Sequence, residues 1–159
     1  MGKLHKSGFT LIETLIALML LSVALAPTIF AATSSTKTAF SIKNNVTAAN
    51  LAQEGIEVIR AIRDSNWFQD LAFDTSLAAG DYEVESDSVP PLSTYQDRFL
   101  NFGSYGKYRY GAINATPFKR KITITKVSLV ELMVTSEVTW LENSRTRSVK
   151  LEAHLFDWR

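Results

Sequence analysis

The feature that most constrains this chain is the apolar run from Phe9 to Ala32. The run has about 24 residues and, as a helix, is long enough to cross a hydrocarbon core about 30 Å thick. It contains a single charged residue, Glu13, which lies near its start. Lys3 and Lys6 precede the run and no acidic residue does, so the positive-inside rule predicts a cytoplasmic N-terminus and an exported remainder.

The carboxylate of Glu13 requires a positively charged partner, because a lone charge costs roughly 2.5 to 3.5 kcal/mol at the membrane centre. No Lys or Arg lies within the apolar run. A cut after Gly8 would give Phe9 a free α-amino group with a pKa of about 8. In a helix this amine and Glu13 lie on one face, and in a bundle of parallel helices Glu13 could equally pair with the amine of a neighbouring chain.

The residues around this cut resemble a known processing site. Lys6 to Glu13 read KSGFTLIE, which is similar to the site in type IV pilins and in the pseudopilins of type II secretion. The resemblance implies that a membrane prepilin peptidase cleaves between Gly8 and Phe9 and N-methylates Phe9, and that Glu13 acts in assembly. It also implies the partners: prepilin peptidase, other pilin or pseudopilin subunits, an inner-membrane assembly platform and the lipid bilayer.

Two other interpretations of the apolar run stay open. A cleaved signal peptide would use the small residues of Ala24-Leu25-Ala26, although Pro27 would then follow the cut and disfavour it. A plain signal anchor would keep its leader and hold Glu13 near the membrane interface. In the second case the product is an unprocessed, single-span, membrane-anchored extracellular binding module.

A helical pattern continues after the membrane segment as far as Arg63. Apolar residues recur at steps of three and four, with polar residues on the other side. The stripe consists of Ala49, Ala52, Ile56, Ile59 and Ile62, and Ala48, Leu51 and Val58 flank it. The predicted organisation is a cytoplasmic leader (1–8), a transmembrane and assembly helix (9–32), an amphipathic continuation (33–63) and an extracytoplasmic globular domain (64–159). Pro27 predicts a kink or local melting of the helix.

The C-terminal quarter of the chain alternates as β-strands do. The alternating apolar residues are Ile122 and Ile124, then Leu132, Val134, Val138 and Trp140, then Val149, Leu151, Ala153 and Leu155. Glu142-Asn143-Ser144 suits a hairpin turn. We expect an antiparallel meander packed on the stripe of Ile56, Ile59 and Ile62. The predicted fold class is α+β and, by the resemblance, pilin-like: a long N-terminal helix, membrane-spanning in its first half, packed on a small C-terminal antiparallel sheet.

Acidic residues alternate through a short strand predicted around Tyr82 to Ser86. Asp81, Glu83, Glu85 and Asp87 would line one face of it. A calcium site needs oxygen ligands that converge from a loop. The spacing therefore favours a solvated acidic edge over a calcium site.

Cations and aromatic residues interleave at Lys107-Tyr108-Arg109-Tyr110. Surfaces that bind single-stranded nucleic acids show this pattern, so a DNA-uptake pilin is an alternative function. The net charge of only +1 favours packed tyrosines and solvated charges instead. Nucleic acid is therefore the less favoured partner.

The sequence offers little for catalysis. It has no cysteine and two histidines, His5 in the leader and His154 on the outer face of the last predicted strand. No metal site, cofactor site or Ser-His-Asp triad can be assembled from these. We therefore predict a non-enzymatic protein. By the resemblance at the processing site, it is an assembly subunit, a minor pilin or pseudopilin, located in the bacterial inner membrane and then in a pilus or pseudopilus. The last strands, from Val138-Thr139-Trp140 to Asp157-Trp158-Arg159, resemble those of minor pilins and pseudopilins. This resemblance, and the lack of the cysteine pair that many major pilins have, favour a minor over a major subunit.

Overall fold

The computed structural model describes residues 8, 10–103, 106–111 and 115–158. Contacts divide the chain into an N-terminal unit, Met1–Ile42, and a globular unit, Lys43–Arg159. The elements of the described ranges are α1 (Leu11–Phe68), β1 (Gly80–Glu83), β2 (Ser93–Thr94), β3 (Phe99–Phe102), β4 (Tyr108–Tyr110), β5 (Ala115–Ser128), β6 (Glu131–Glu142) and β7 (Arg145–Phe156). The α+β fold class is confirmed, with one long helix followed by an antiparallel sheet.

The N-terminal unit is helical from Leu11 onward, and every described side chain up to Phe40 is exposed. By length and composition, this part of α1 could cross a membrane. The helix runs through Pro27 without interruption. The predicted local melting at this proline is therefore not observed.

Hydroxyl side chains in the apolar segment are bonded to their own helix. Ser22 Oγ donates to the Met19 carbonyl at 2.8 Å, and Thr28 Oγ1 donates to the Leu25 carbonyl at 2.7 Å. Unpaired hydroxyl groups would be costly in a hydrocarbon layer, which offers them no partner. These polar residues are therefore compatible with a membrane environment.

The sheet of the globular unit is built around β5. This strand pairs antiparallel with β1 and β3 on one side and with β6 on the other, while β6 also pairs with β7. Asn143 and Ser144, between β6 and β7, have φ values of 49° and 61°. A positive φ at both central residues is the requirement of a tight hairpin turn. The predicted meander and its turn are both confirmed.

The helical stripe packs on the inner face of the sheet as predicted. The larger core cluster includes Ile56, Ile59 and Ile62 of α1 with Ile122, Ile124, Leu132, Val134 and Leu155 of the meander. A second cluster joins Ala48, Leu51 and Ala52 to Leu100, Phe118, Val138 and Trp140. Within the globular unit, the meander is thus held to α1 along two consecutive stretches of the helix.

Gly55 allows α1 to approach the sheet closely. A Cβ atom at this position would lie 2.5 Å from Ile122 Cδ1 and 2.8 Å from Ser136 Oγ. Both neighbours are fully buried, so they have little room to move away. Packing therefore explains a mid-helix glycine, which otherwise costs about 1 kcal/mol relative to alanine.

The helix ends at Phe68 rather than at Arg63 as predicted. Asn66 is buried in the last turn, and its Nδ2 donates to the carbonyls of Phe73 at 3.2 Å and Thr75 at 2.8 Å. These bonds tie the following loop to the helix. The polar residues of this turn led to the prediction of an earlier helix end, although one of them, Asn66, stabilises the end of α1.

The first strand also differs from its prediction, because it spans Gly80–Glu83 rather than the region of Tyr82 to Ser86. The carbonyl of Val84 accepts a hydrogen bond from the guanidinium of Arg120. At the residue after the strand end, the backbone carbonyl is thus bonded to a side chain instead of a neighbouring strand.

Candidate functional site

Thr10 and Glu13 close the first turn of α1 through two reciprocal contacts. The Glu13 amide donates to Thr10 Oγ1 at 3.3 Å, and the Thr10 amide donates to Glu13 Oε2 at 3.5 Å. This arrangement is a capping box, which satisfies backbone N–H groups that have no partner within the helix. The Glu13 carboxylate is therefore directed toward the N-terminus of the helix, where the helix dipole also favours negative charge.

Two of the three residues predicted to act in processing and assembly, Gly8 and Glu13, lie in the described part of this end of the chain. Gly8 and Glu13 are exposed. A Cβ atom added to Gly8 would meet none of the described residues within 4 Å. Phe9 lies outside the described residues. The pairing of Glu13 with the Phe9 amine stays a prediction.

Sequence analysis did not single out Thr10. The available signal was its spacing, since Thr followed three residues later by Glu, just before an apolar run, is the pattern of a capping box. Glu13 was interpreted only through its charge. The structure adds that Thr10 positions this carboxylate.

Large apolar side chains cover all sides of the helix that follows. The exposed residues are Leu11, Ile12, Leu15, Ile16, Leu18, Met19, Leu20, Leu21, Val23, Leu25, Ile29 and Phe30. A helix that is apolar all round requires cover from lipid or from other helices. This segment therefore provides a long binding surface with one carboxylate at its start.

Residues 3–29 match the family model of the prokaryotic N-terminal methylation motif. The match covers the predicted cut, Glu13 and most of the apolar helix. The motif supports a type IV pilin-like protein. No curated protein and no solved structure matches the chain. The motif, followed by an exposed apolar helix, fits a single-pass anchor in the inner membrane.

The acidic strand of the globular unit is not a solvated edge at Glu83. Its side chain is buried and accepts hydrogen bonds from the Gln96 amide at 3.0 Å, the Arg98 amide at 3.2 Å and Arg98 Nε at 2.7 Å. The contact raises the pKa of the Arg98 guanidinium. The prediction of a solvated edge is wrong here, because several N–H donors compensate the buried charge. Among the described residues, no group of three or more His, Asp or Glu side chains could hold a metal ion.

The interleaved segment at residues 107–110 is incorporated into the sheet of the globular unit. Tyr108 packs against the second core cluster, and the Tyr110 hydroxyl donates to the Arg120 carbonyl at 3.0 Å. Arg109 forms an ion pair with Asp87. The arrangement favours the interpretation of packed tyrosines over a stacking platform for bases.

High pH should destabilise the globular unit through Tyr110. Burial raises the pKa of its phenol above the ordinary value of about 10. The unfolded chain therefore loses this proton first, so stability is kept below about pH 10 and falls as the pH rises further. We expect Tyr110→Phe to move alkaline unfolding of the full chain in detergent micelles to higher pH, followed by tryptophan fluorescence. Comparing the free energies of unfolding of the two proteins at pH 7 measures the effect of losing the Tyr110 hydroxyl bond alone. The same pH midpoint of alkaline unfolding for both proteins would contradict the prediction.

Proposed function

We propose that the chain is a structural subunit, a minor pilin or pseudopilin, of a type IV pilus or a type II secretion-like filament. In this proposal it is inserted with its N-terminus in the cytoplasm, cut after Gly8, N-methylated at Phe9 and assembled through its apolar helix. The observation that carries the proposal is a methylation motif at the start of a helix whose large apolar side chains from Leu11 to Phe30 are all exposed. The role is non-enzymatic.

The apolar helix supports the proposal because its exposed side chains need apolar cover both in a membrane and in a filament. In the membrane, lipid covers the exposed side chains, and in a filament the helices of neighbouring subunits would cover them. Glu13 is the exception, since its carboxylate is costly in either apolar setting without a cation. The amine that processing creates at Phe9 is that cation.

The capping box gives this pairing a geometric basis. Thr10 holds the Glu13 carboxylate on the N-terminal side of the first turn, which is the side from which a free amine would approach. Pairing with the Phe9 amine of a neighbouring subunit would then fix the axial register of two parallel helices. The partners in this proposal are prepilin peptidase, sibling subunits and the inner-membrane assembly platform.

The test is coexpression of the full chain with a prepilin peptidase, followed by intact-mass and N-terminal peptide analysis. We expect a mature chain that begins with N-methylated Phe9. The leader provides a matched pair of glycine variants: Gly8→Leu should block cleavage, whereas Gly2→Leu should not. A retained leader in the unmodified protein, or a cut near Ala26, would instead identify an anchored or secreted binding module.

A further inference from the structure

A pocket of about 580 Å³ lies within the globular unit, between the last turns of α1 and two loops. We name it the loop pocket. One wall consists of α1 residues at steps of three and four from Glu54 to Gln69, and the other comes from residues 71–76 and 86–90. The α1 wall is about 22 Å long at 1.5 Å per residue. Ligand pockets in proteins have volumes of about 300 to 1,000 Å³, so the loop pocket has the size of a binding site.

The apolar part of the lining is aliphatic and partly exposed. Leu71 is 45% exposed and Val89 is 75% exposed, one on each loop. Exposed large apolar side chains around a pocket are typical of a binding surface. Among the described residues, no aromatic side chain lines the pocket, so it does not offer the stacking faces that nucleobases use. The aliphatic lining residues are Val58, Ala61, Ile62, Leu71, Val89 and Pro90.

The charged side chains in and around the loop pocket already have partners. The lining contains two, and Glu54 lies 3.2 Å from an Arg120 nitrogen while Glu57 lies 2.6 Å from an Arg60 nitrogen. A charged ligand buried here would find no unpaired opposite charge in the lining, at a large cost in free energy. We therefore expect an uncharged ligand. The surrounding contacts are Arg63–Asp64, Asp74–Lys126, Asp87–Arg109 and the Glu85 carboxylate with the Tyr110 amide, and Asp70 also has a partner.

The other polar groups of the lining are uncharged and form hydrogen bonds. They belong to four serines, one threonine, one asparagine and one glutamine. One of them, Ser86 Oγ, is buried and has no hydrogen-bond partner among the described residues. A buried hydroxyl group without a partner costs free energy and requires an explanation. A ligand that bonds to Ser86 provides that explanation.

A peptide segment matches this lining more closely than an acyl chain does. An acyl chain would cover the hydroxyl and amide groups and offer them no hydrogen bonds. A peptide combines aliphatic side chains with a backbone donor and acceptor at almost every residue. An extended segment of six or seven residues spans about 22 Å at roughly 3.3 Å per residue, which is also the length of the α1 wall.

We propose that the loop pocket binds an extended, uncharged peptide segment with aliphatic side chains. Those side chains would pack between Ala61 of α1 and Val89 of the second loop. Ser86 Oγ would donate to a backbone carbonyl of the segment. The inference does not rest on the proposed function, because the loop pocket lies entirely within the globular unit.

Photo-crosslinking of the full chain in lipid nanodiscs tests the proposal. The probe is a mixture of capped hexapeptides built from Ala, Val, Leu, Ser and Gln, each with one photo-leucine. We expect saturable cross-links, located by peptide mass analysis, to the α1 wall or to the two loops. A control mixture with Lys and Asp in place of Ser and Gln should give few, because the lining offers no unpaired charge.

Two alanine positions provide a matched pair of variants. Ala61→Phe should reduce cross-linking at least about tenfold, because the ring occupies space that the segment needs. Ala79→Phe should leave it unchanged, since Ala79 is equally exposed but lies outside the loop pocket. Ser86→Ala should reduce it about fivefold, the effect of losing one hydrogen bond.

The outcomes separate a peptide site from other sites. Cross-links that survive Ala61→Phe, or that are as strong with the charged mixture, would overturn the inference. A photoreactive lauroyl probe that labels the pocket while the hexapeptides do not would identify an acyl site and overturn it as well. Equal cross-linking of Ser86→Ala and the unchanged chain would contradict the bond to Ser86. Because none of these readouts depends on cleavage after Gly8, they leave the proposed function to its own test.

Discussion

Replacing Arg120 with alanine should lower the free energy of unfolding of the globular unit by about 3 to 5 kcal/mol. The side chain is fully buried, with 0% exposure. Its Nη1 donates to the Leu51 carbonyl at 2.8 Å and to Glu54 Oε1 at 3.2 Å, while Nη2 donates to the Val84 carbonyl. Deletion leaves these acceptors without their donor and opens a cavity between α1 and β5.

Denaturant unfolding of the full chain in detergent micelles, followed by tryptophan fluorescence, measures this effect. Arg145→Ala is the matched control, because the same side chain is exposed there and its loss should change the free energy by no more than about 0.5 kcal/mol. Arg120→Met should fall between the two, since methionine fills the volume but donates no hydrogen bond. Equal losses for Arg120→Ala and Arg145→Ala would contradict the structural role of Arg120.

Replacing Glu13 with glutamine should reduce incorporation into filaments at least about tenfold, because loss of a buried charge pair costs about 2 kcal/mol or more. Glutamine can complete the capping box with Thr10 as well as glutamate does. The substitution therefore removes the charge and keeps the helix start. The measurement is the fraction of processed protein recovered in sheared filaments from cells with the complete assembly machinery.

Thr10→Ala is the converse variant, because it removes the cap at a cost of about 1 kcal/mol and keeps the carboxylate. If charge pairing drives assembly, Thr10→Ala should reduce incorporation less than Glu13→Gln does. Normal assembly of Glu13→Gln together with failure of Thr10→Ala would show that Glu13 acts as a capping residue. The assembly role assigned to its charge would then be wrong.

Periodic features of the fold were predictable from the sequence. The stripe containing Ile56, Ile59 and Ile62 and the alternation through β5 and β6 each follow from one rule of side-chain spacing. Burial of one face is the dominant favourable term for such segments, so their pattern fixes their packing. The turn at Asn143 was equally accessible, because its conformational preference is local.

Buried polar residues were not predictable in this way. Arg120 reaches the carbonyls of Leu51 and Val84, which are distant in sequence, and Glu83 depends on donors from the segment around Arg98. Charged residues are seldom buried unless paired, and only the folded chain reveals the pairs. Asn66 was missed for the same reason, because its acceptors, the carbonyls of Phe73 and Thr75, lie in a later loop.

In the candidate site, too, residues in local motifs were predictable and residues that depend on the fold were not. Gly8 and Glu13 were found because a local motif contains them, and Thr10 was within reach of the same local reasoning. The exposure of Leu129 and Val130 was not predictable, since both resemble interior residues of a strand in the sequence. Only their position at a turn makes them exposed.

The hydroxyl groups of the apolar helix that donate to carbonyls of their own helix would affect how a filament responds to tension. Ser22 and Thr28 already donate to their own backbone, so they have no free donor to fix the position of a neighbouring helix. Helices would then meet mainly through dispersion contacts worth about 0.1 to 0.2 kcal/mol per atom pair, which have little directional preference and re-form after a small slide. A fibre of such subunits should lengthen under tension and recover on release, with Glu13 as the point that restores the register.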